Sequence, residues 1–270
     1  MLTRIWSALI GVALLVVVLW AADPLLNYAL VAVILIALFE IYRSFGFIKM
    51  ARLPLAVIGF SLAIALCFGD FTNYKYILFL LCAYIILMFV LAVCYHKSIK
   101  FSDIAILLFS TLYITMPLLH IRMIHENANG IFLIYTVFIG AFVSDTGAYF
   151  CGRFLGKHKL MPEISPNKTI EGSIGGIVFT LIGFLVFGLI LSRGFHFNVN
   201  FINAMIVAVL ASAAAQMGDL SASMIKREYN IKDYGTIMPG HGGMLDRIDS
   251  VIFVAPVVYY MMTVLPIIIS

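Results

Sequence analysis

Nine long apolar runs, at residues 5–22, 25–41, 54–69, 76–95, 104–118, 131–149, 173–192, 201–220 and 250–269, leave this chain few ways to fold. Each approaches the roughly 20 residues that carry an α-helix across a hydrocarbon core about 30 Å thick. Backbone polar groups find no water there, so only helices or closed barrels can span it, and nothing here alternates as barrel strands do. The sequence therefore predicts an all-α, polytopic integral membrane bundle of about nine transmembrane helices, with residues 1–270 forming a single membrane domain. Composition excludes other classes: 63% of the residues are hydrophobic and 11% charged, against about 25% charged in a soluble domain. A soluble enzyme, a disordered chain and a disulfide scaffold are ruled out, and little length is left for a separate soluble domain. The run Ile5–Trp20 has the look of a signal peptide, but no convincing cleavage site precedes Asp23 and many spans follow, so it is read as the first span. Cys67, Cys82, Cys94 and Cys151 fall in or beside apolar runs without metal-site spacing and read as small core residues.

Charge placement sets the orientation. Of the 17 Lys and Arg, all but Lys75, Arg122 and Arg193 fall near the N-terminus or in even-numbered connections. The positive-inside rule puts that side in the cytoplasm. The reading is a multi-pass protein of the cytoplasmic membrane with its N-terminus cytoplasmic. Spans one to five occupy residues 1–130 and spans six to nine residues 131–270. Two connections in the second part are long, 150–172 and 221–249. Both are expected on the cytoplasmic side, and both are crowded with Gly, basic and acidic residues. Long polar segments in a chain otherwise short of loops point to function.

The first segment opens with Ser144-Asp145-Thr146-Gly147-Ala148-Tyr149 at a span end, followed by Gly152-Arg153, Gly156-Lys157 and Ser165-Pro166-Asn167-Lys168-Thr169-Ile170-Glu171-Gly172. A carboxylate at membrane depth is costly, which points to function for Asp145; structural pairing with a nearby Arg is the alternative. Gly152 to Lys157 does not make a phosphate loop. Three residues separate its glycines where four are needed, and His158 stands where Ser or Thr should follow. Gly172 and Gly176 read as a helix-packing pair.

The second segment begins on a helix. Gln216, Asp219, Ser223 and Lys226 share one helical face as span eight ends. Asp219 follows Ala211–Ala215, so a desolvated carboxylate there needs a proton or a cation. Pro239-Gly240-His241-Gly242-Gly243 then allows close backbone approach to a ligand; His241 either contacts phosphate or steadies the turn. Asp246 and Asp249, at i and i+3, share a face if that turn is helical, with capping of the helix start as the alternative role. Carboxylates without His/Cys clusters select Mg2+-like ions, which complete their shells with water and substrate phosphate. Nearby Lys and Arg can neutralise further phosphate charge.

Ser223-x-x-Lys226-Arg227-x4-Lys232-Asp233-x-Gly235, continuing to Pro239-x-His241-Gly242-Gly243-x-x-Asp246-Arg247-x-Asp249, resembles the signature of phosphatidate cytidylyltransferases (CDP-diacylglycerol synthases). The Asp145–Tyr149 and Ser165–Gly172 stretches are similar to that family's other recurring blocks, in order over about 145–250. Met238 stands where the family usually has Leu, Ile or Phe, and Glu40 is in keeping with the family. The resemblance implies an enzyme that transfers the cytidylyl group of CTP to phosphatidic acid, forming CDP-diacylglycerol and pyrophosphate for phospholipid synthesis. It implies dependence on Mg2+, with a second cation also considered. Asp219 and Asp246 would hold the metal, with Asp249 or Asp145 in support. Lys168, Lys226, Arg227, Lys232 and Arg247 would clamp phosphates, and Arg153, Ser223, His241, Gly242 and Gly243 would complete the substrate site. The lipid would enter from the inner leaflet, no nucleic acid partner is expected, and family members pair as homodimers. A membrane transporter using intramembrane acids is the alternative. The inward clustering of the acids and the lack of an internal repeat count against it.

Overall fold

The computed structural model describes residues 19–20, 23–49, 52–69, 73–237 and 242–269. Most of the expected first span, 5–22, and His241 lie outside the described residues. The chain divides into two compact units, one running up to Leu119 and including Ile231–Arg247, the other made of His120–Asn230 and Ile248–Ser270.

The first unit contains α1 (Asp23–Ser44), α2 (Leu53–Phe68), α3 (Tyr74–Cys94) and most of α4 (Phe101–His125). Local chemistry starts these helices. Pro54 sits in the first turn of α2, where a missing N–H removes no helical bond. Asn73 Oδ1 accepts from Lys75 N at 3.2 Å ahead of α3. Asp103 Oδ2 accepts from Lys100 N at 2.9 Å, while its Oδ1 lies 3.4 Å from Arg52 Nη2. Deeper in, the Tyr42 hydroxyl of α1 is 2.6 Å from Thr111 Oγ1 of α4, and the Tyr84 hydroxyl of α3 is 3.0 Å from the same oxygen. Gly59 of α2 completes the arrangement, because a Cβ there would overlap the Tyr42 hydroxyl. One buried cluster of three hydroxyls thus ties α1, α3 and α4, with α2 packed against it at Gly59, its members satisfying one another where water cannot reach.

In the second unit α5 (Gly130–Phe138), a π-helical turn (Ile139–Val143) and α6 (Ser144–Leu155) follow one another without a break. They are followed by α7 (Ile170–Gly194), α8 (Phe201–Glu228) and the greater part of α9 (Leu245–Val264). Close crossing of α6 and α7 depends on missing side chains. A Cβ at Gly172 would stand 2.7 Å from the Ala148 carbonyl oxygen and 3.1 Å from Gly152 Cα; one at Gly147 would stand 2.6 Å from Phe179 Cβ. Small residues at crossings let backbones approach where hydrocarbon gives no drive for association. The connections carry two small antiparallel sheets, β1 (Lys159–Met161) with β2 (Ser165–Thr169), and β3 (Asn198–Val199) with β4 (Ile268–Ile269). Thr169 ends β2 and caps α7, its Oγ1 accepting from Gly172 N at 3.1 Å. Asn200 caps α8 through Ile202 N and Asn203 N, both at 3.1 Å.

Seven helical segments among the described residues are long and apolar enough to cross a membrane: 24–44, 74–94, 101–125, 130–155, 170–194, 201–228 and 245–264. The protein is a multi-pass, all-α membrane protein. The expected count of about nine is not reached among the described residues. Leu53–Phe68 has only 16 residues, a rise of about 24 Å against a core of about 30 Å, and the first run lies largely outside the description. Two helices also outrun their apolar stretches: α8 continues to Glu228, and α9 starts at Leu245. Hydropathy marks where lipid lies, whereas helical hydrogen bonding continues beyond it.

Gly172→Ala puts a methyl group against backbone atoms that cannot swing away. Overpacking of this kind costs roughly 1–3 kcal/mol. The thermal unfolding midpoint in detergent should fall for Gly172→Ala and stay level for Gly194→Ala, whose added Cβ meets nothing within 4 Å. Equal midpoints for the two variants would exclude the tight crossing.

Candidate active site

A cavity of about 420 Å3 lies within the second unit, between α6, the β1–β2 hairpin, α7 and α8. Asp145, Tyr149 and Arg153 reach it from α6, Lys168 from β2, Ser173 from α7, and Gln216 and Asp219 from α8. Asp219 Oδ2 is 2.6 Å from Lys168 Nζ, with the two side chains 34% and 23% exposed and the ammonium nitrogen itself buried. One turn along α8, the Ser223 hydroxyl lies 3.5 Å from the other Asp219 oxygen. Asp145 Oδ2 accepts from the Ser250 hydroxyl of α9 at 2.9 Å. Asp249 is 7% exposed, and its Oδ1 accepts from Ser250 N at 2.9 Å. Asp145 and Asp249 are thus joined through Ser250, and Asp145 lines the same cavity as Asp219. Three acids from three helices therefore share one field, and like charges in a low dielectric call for cations.

The donor set bears on metal binding. Among the described residues no three His, Cys, Asp or Glu side chains stand close enough to cage an ion unaided. Mg2+ is commonly held by only one or two carboxylates, with water and substrate phosphate supplying the rest. Hard oxygens of Asp145 and Asp219 lining one cavity fit an ion that arrives with a phosphate ligand.

The remaining polar groups mostly build the frame. Gln216 Nε2 donates to the Ser173 carbonyl oxygen at 3.1 Å and to Ser212 Oγ at 3.3 Å, and Gln216 Oε1 accepts from the Ser173 hydroxyl. Ser212 in turn meets Ser144 Oγ at 2.8 Å. The amide at the head of the polar α8 face is thus spent on the crossing with α7. Arg227 Nε donates to the Ile164 carbonyl oxygen at 3.3 Å, fastening the hairpin turn to the end of α8. Glu171, in the first turn of α7, accepts from Lys157 N at 3.1 Å and from His158 N at 3.2 Å, and its Oε1 is 2.7 Å from His158 Nδ1. Arg153 Nη1 donates to the Tyr149 hydroxyl at 2.8 Å, with the guanidinium 6.0 Å from that ring's centre.

The first unit holds the other signature residues. Asp246 Oδ2 accepts from Tyr234 N at 2.9 Å and Gly243 N at 3.0 Å. Because α9 begins at Leu245, Asp249 lies a turn inside the helix, and it is Asp246 that reaches back to the preceding loop. Gly242 has φ +83°, a left-handed conformation that favours glycine. Lys232 and Arg247 are exposed. Glu40 of α1, only 2% exposed, accepts from Met244 N at 3.0 Å and Leu245 N at 2.8 Å.

Sequence comparison places this architecture. The sequence model of the Cytidylyltransferase family matches residues 2–265. The chain belongs to the cytidylyltransferase family. It is similar to the phosphatidate cytidylyltransferase of Bacillus subtilis, 36% identical over 179 residues that cover 66% of this chain and 65% of the relative. It is also similar to the proteins of that name from Staphylococcus haemolyticus and Staphylococcus saprophyticus, at 42% and 41% identity over 157 residues, 58% of each chain. The matched stretch therefore spans less than two thirds of the length of these curated relatives.

In this cytidylyltransferase-family chain, Asp145, Lys168, Asp219, Ser223, Lys226 and Asp249 come together in the second unit, with Arg153 and Arg227 nearby on the same helices. Asp246, Arg247, Lys232, Gly242 and Gly243 belong to the first unit. Ser250 and Ser173 do not stand out in the sequence, and Tyr149 does so only as the last residue of the Asp145–Tyr149 block. A serine or tyrosine in an apolar run gives no signal until its partner's position is known. Gln216→Leu should strand the Ser173 hydroxyl and carbonyl, costing about 1–3 kcal/mol. The unfolding midpoint should fall more than for Ser173→Ala, and the reverse order would contradict the assigned network.

Proposed function

We propose that this chain transfers the cytidylyl group of CTP to phosphatidic acid, releasing pyrophosphate and leaving CDP-diacylglycerol in the membrane. The observation that carries the reading is the cavity in the second unit, where Asp145, Asp219, Lys168 and Arg153 face one space at the ends of apolar spans. The names of the similar proteins supply the substrates. A phosphate oxygen of phosphatidic acid attacks the α-phosphorus of CTP. The new P–O bond forms as the bond to the bridging oxygen of the β-phosphate breaks, and pyrophosphate departs with that electron pair. The nucleophile is already anionic at neutral pH, so no general base is required.

The obstacle is repulsion between two polyanions, which makes the reaction a matter of positioning and charge. Lys168, held by Asp219, and Arg153 line the cavity, which supports them as phosphate contacts; Lys226 and Arg227 in that role rest on the resemblance. Asp219, Asp145 and Asp249 would hold Mg2+, which when bound offsets phosphate charge; a second cation would draw on the same acids. Asp246 as a further ligand, and Lys232, His241, Gly242, Gly243, Arg247 and Ser223 as substrate contacts, rest on the resemblance alone, as does pairing of two chains. The Lys and Arg distribution supports a cytoplasmic face for the site, with the N-terminus on the same side, where CTP is dissolved and the inner leaflet supplies the lipid.

The test is conversion of labelled CTP into a lipid-extractable product by purified protein. Turnover should require phosphatidic acid, stop with EDTA and return with added Mg2+. Solute flux in proteoliposomes without CTP consumption would replace this reading by a transporter. Asp219→Ala should lower kcat by about 1000-fold and Lys168→Met by about 100-fold, the range for losing a group that stabilises transition-state charge. Unfolding midpoints should stay within a few degrees of the parent. Near-parental turnover of Asp219→Ala at saturating Mg2+ would refute its role.

A further inference from the structure

Glu40 plays no part in the chemistry described above, yet its carboxylate has the most demanding surroundings in the first unit. It lies near the end of α1, in an apolar span, and is 2% exposed. An ionisable group in that setting is retained only where specific partners hold it. Its two oxygens divide the work: Oε1 takes Met244 N at 3.0 Å and Oε2 takes Leu245 N at 2.8 Å. These are among the N–H groups that a helix leaves unpaired at its start, here the start of α9. An internal carboxylate from a residue some two hundred positions away therefore fills the place that an external anion takes at other helix starts.

The glycines confirm how closely the loop wraps this side chain. A Cβ at Gly243 would lie 2.5 Å from both Glu40 oxygens, and one at Gly235 would overlap Oε1. Gly235 and Gly243 are thus glycines because Glu40 occupies the space beside them. Ser44, one turn on in α1, adds a contact from its hydroxyl to the Tyr234 carbonyl oxygen at 3.4 Å. Tyr234 N and Gly243 N, on the same two flanks of the loop, are the groups that Asp246 accepts from. Both carboxylates thus bond to this strip of backbone.

We propose that Glu40 is a positioning residue: its carboxylate fixes the stretches 231–237 and 242–244 and the first turn of α9, and through them sets the placement of Asp246 and Arg247. Its relevance to turnover rests on the cytidylyl-transfer reading, whereas its hold on the loop does not. Glu40→Gln keeps the size but offers one acceptor oxygen to two N–H donors, and its NH2 group opposes the second.

Two measurements on the full-length protein in detergent test this. In the first, trypsin cleavage after the exposed Lys232 is followed by mass spectrometry. Glu40→Gln should be cut about 5-fold faster or more, as a lost anchor of this size allows. In the second, Gly243→Ala and Glu40→Asp should each lower kcat, because one crowds the contact and the other shortens it. The double variant should regain about 3-fold or more over Gly243→Ala, the non-additivity expected of touching residues. A Glu40 that merely stabilised the fold would not produce that rescue. Unchanged cleavage at Lys232 in Glu40→Gln, or strictly additive losses in the double variant, would overturn the proposal. A parent protein that consumes no CTP would sink the transferase reading, while the cleavage rates would still decide whether Glu40 holds the loop.

Discussion

A carboxylate carried into an apolar span must be met by a donor or a cation, and much of this structure answers to that requirement. The chain has 13 acidic residues, and five of those that lie in helices show how the requirement is met. Asp103 takes a backbone N–H and faces Arg52, Glu40 and Asp246 take loop and helix-start N–H groups, Asp145 takes a serine hydroxyl, and Asp219 takes a lysine. Leaving any of them unmet would cost more than a typical hydrogen bond returns. Sequence, helix ends and loops are accordingly arranged around a handful of negative charges.

The two units answer that requirement with different chemistry. In the first, the acids are met chiefly by backbone, which cannot leave; Glu40 and Asp246 organise the chain and are fixed by it. In the second, Asp219 is met by the side chain of Lys168, long and flexible, and partly open to water. A lysine is a mobile point charge that can exchange partners. The contrast separates acids fixed by backbone from one that is held by a side chain.

The helical, membrane-spanning character was legible because hydropathy reports the bilayer directly. Apolar runs at 131–149, 173–192 and 201–220 became helices at those places, and the Gly172–Gly176 pair lies at a crossing as its spacing indicated. Hydropathy alone misplaced one boundary: the apolar run starts at 250, yet α9 begins at Leu245, so the turn carrying Asp246 and Asp249 is helical. The apolar run at 54–69 is likewise a helix, Leu53–Phe68, but at 16 residues it is shorter than the seven segments long enough to cross a membrane. Within the site, the acids and lysines stood out by their cost in a membrane. Their partners did not, since Ser250 is an ordinary serine and Glu40 contacts a loop two hundred residues away. Such pairings belong to tertiary structure, and no local pattern encodes them.

The π-helical turn at Ile139–Val143 gives the chain one residue more than a regular helix would need to reach Asp145. One residue corresponds to about 100° of rotation about the helix axis. The surplus residue thus sets the angle at which the Ser144–Tyr149 stretch is presented, independently of its spelling. A homologue lacking a single residue in that turn would carry the same letters from Ser144 onward and aim them elsewhere. For this protein, insertions and deletions upstream of the motif weigh as heavily as substitutions within it.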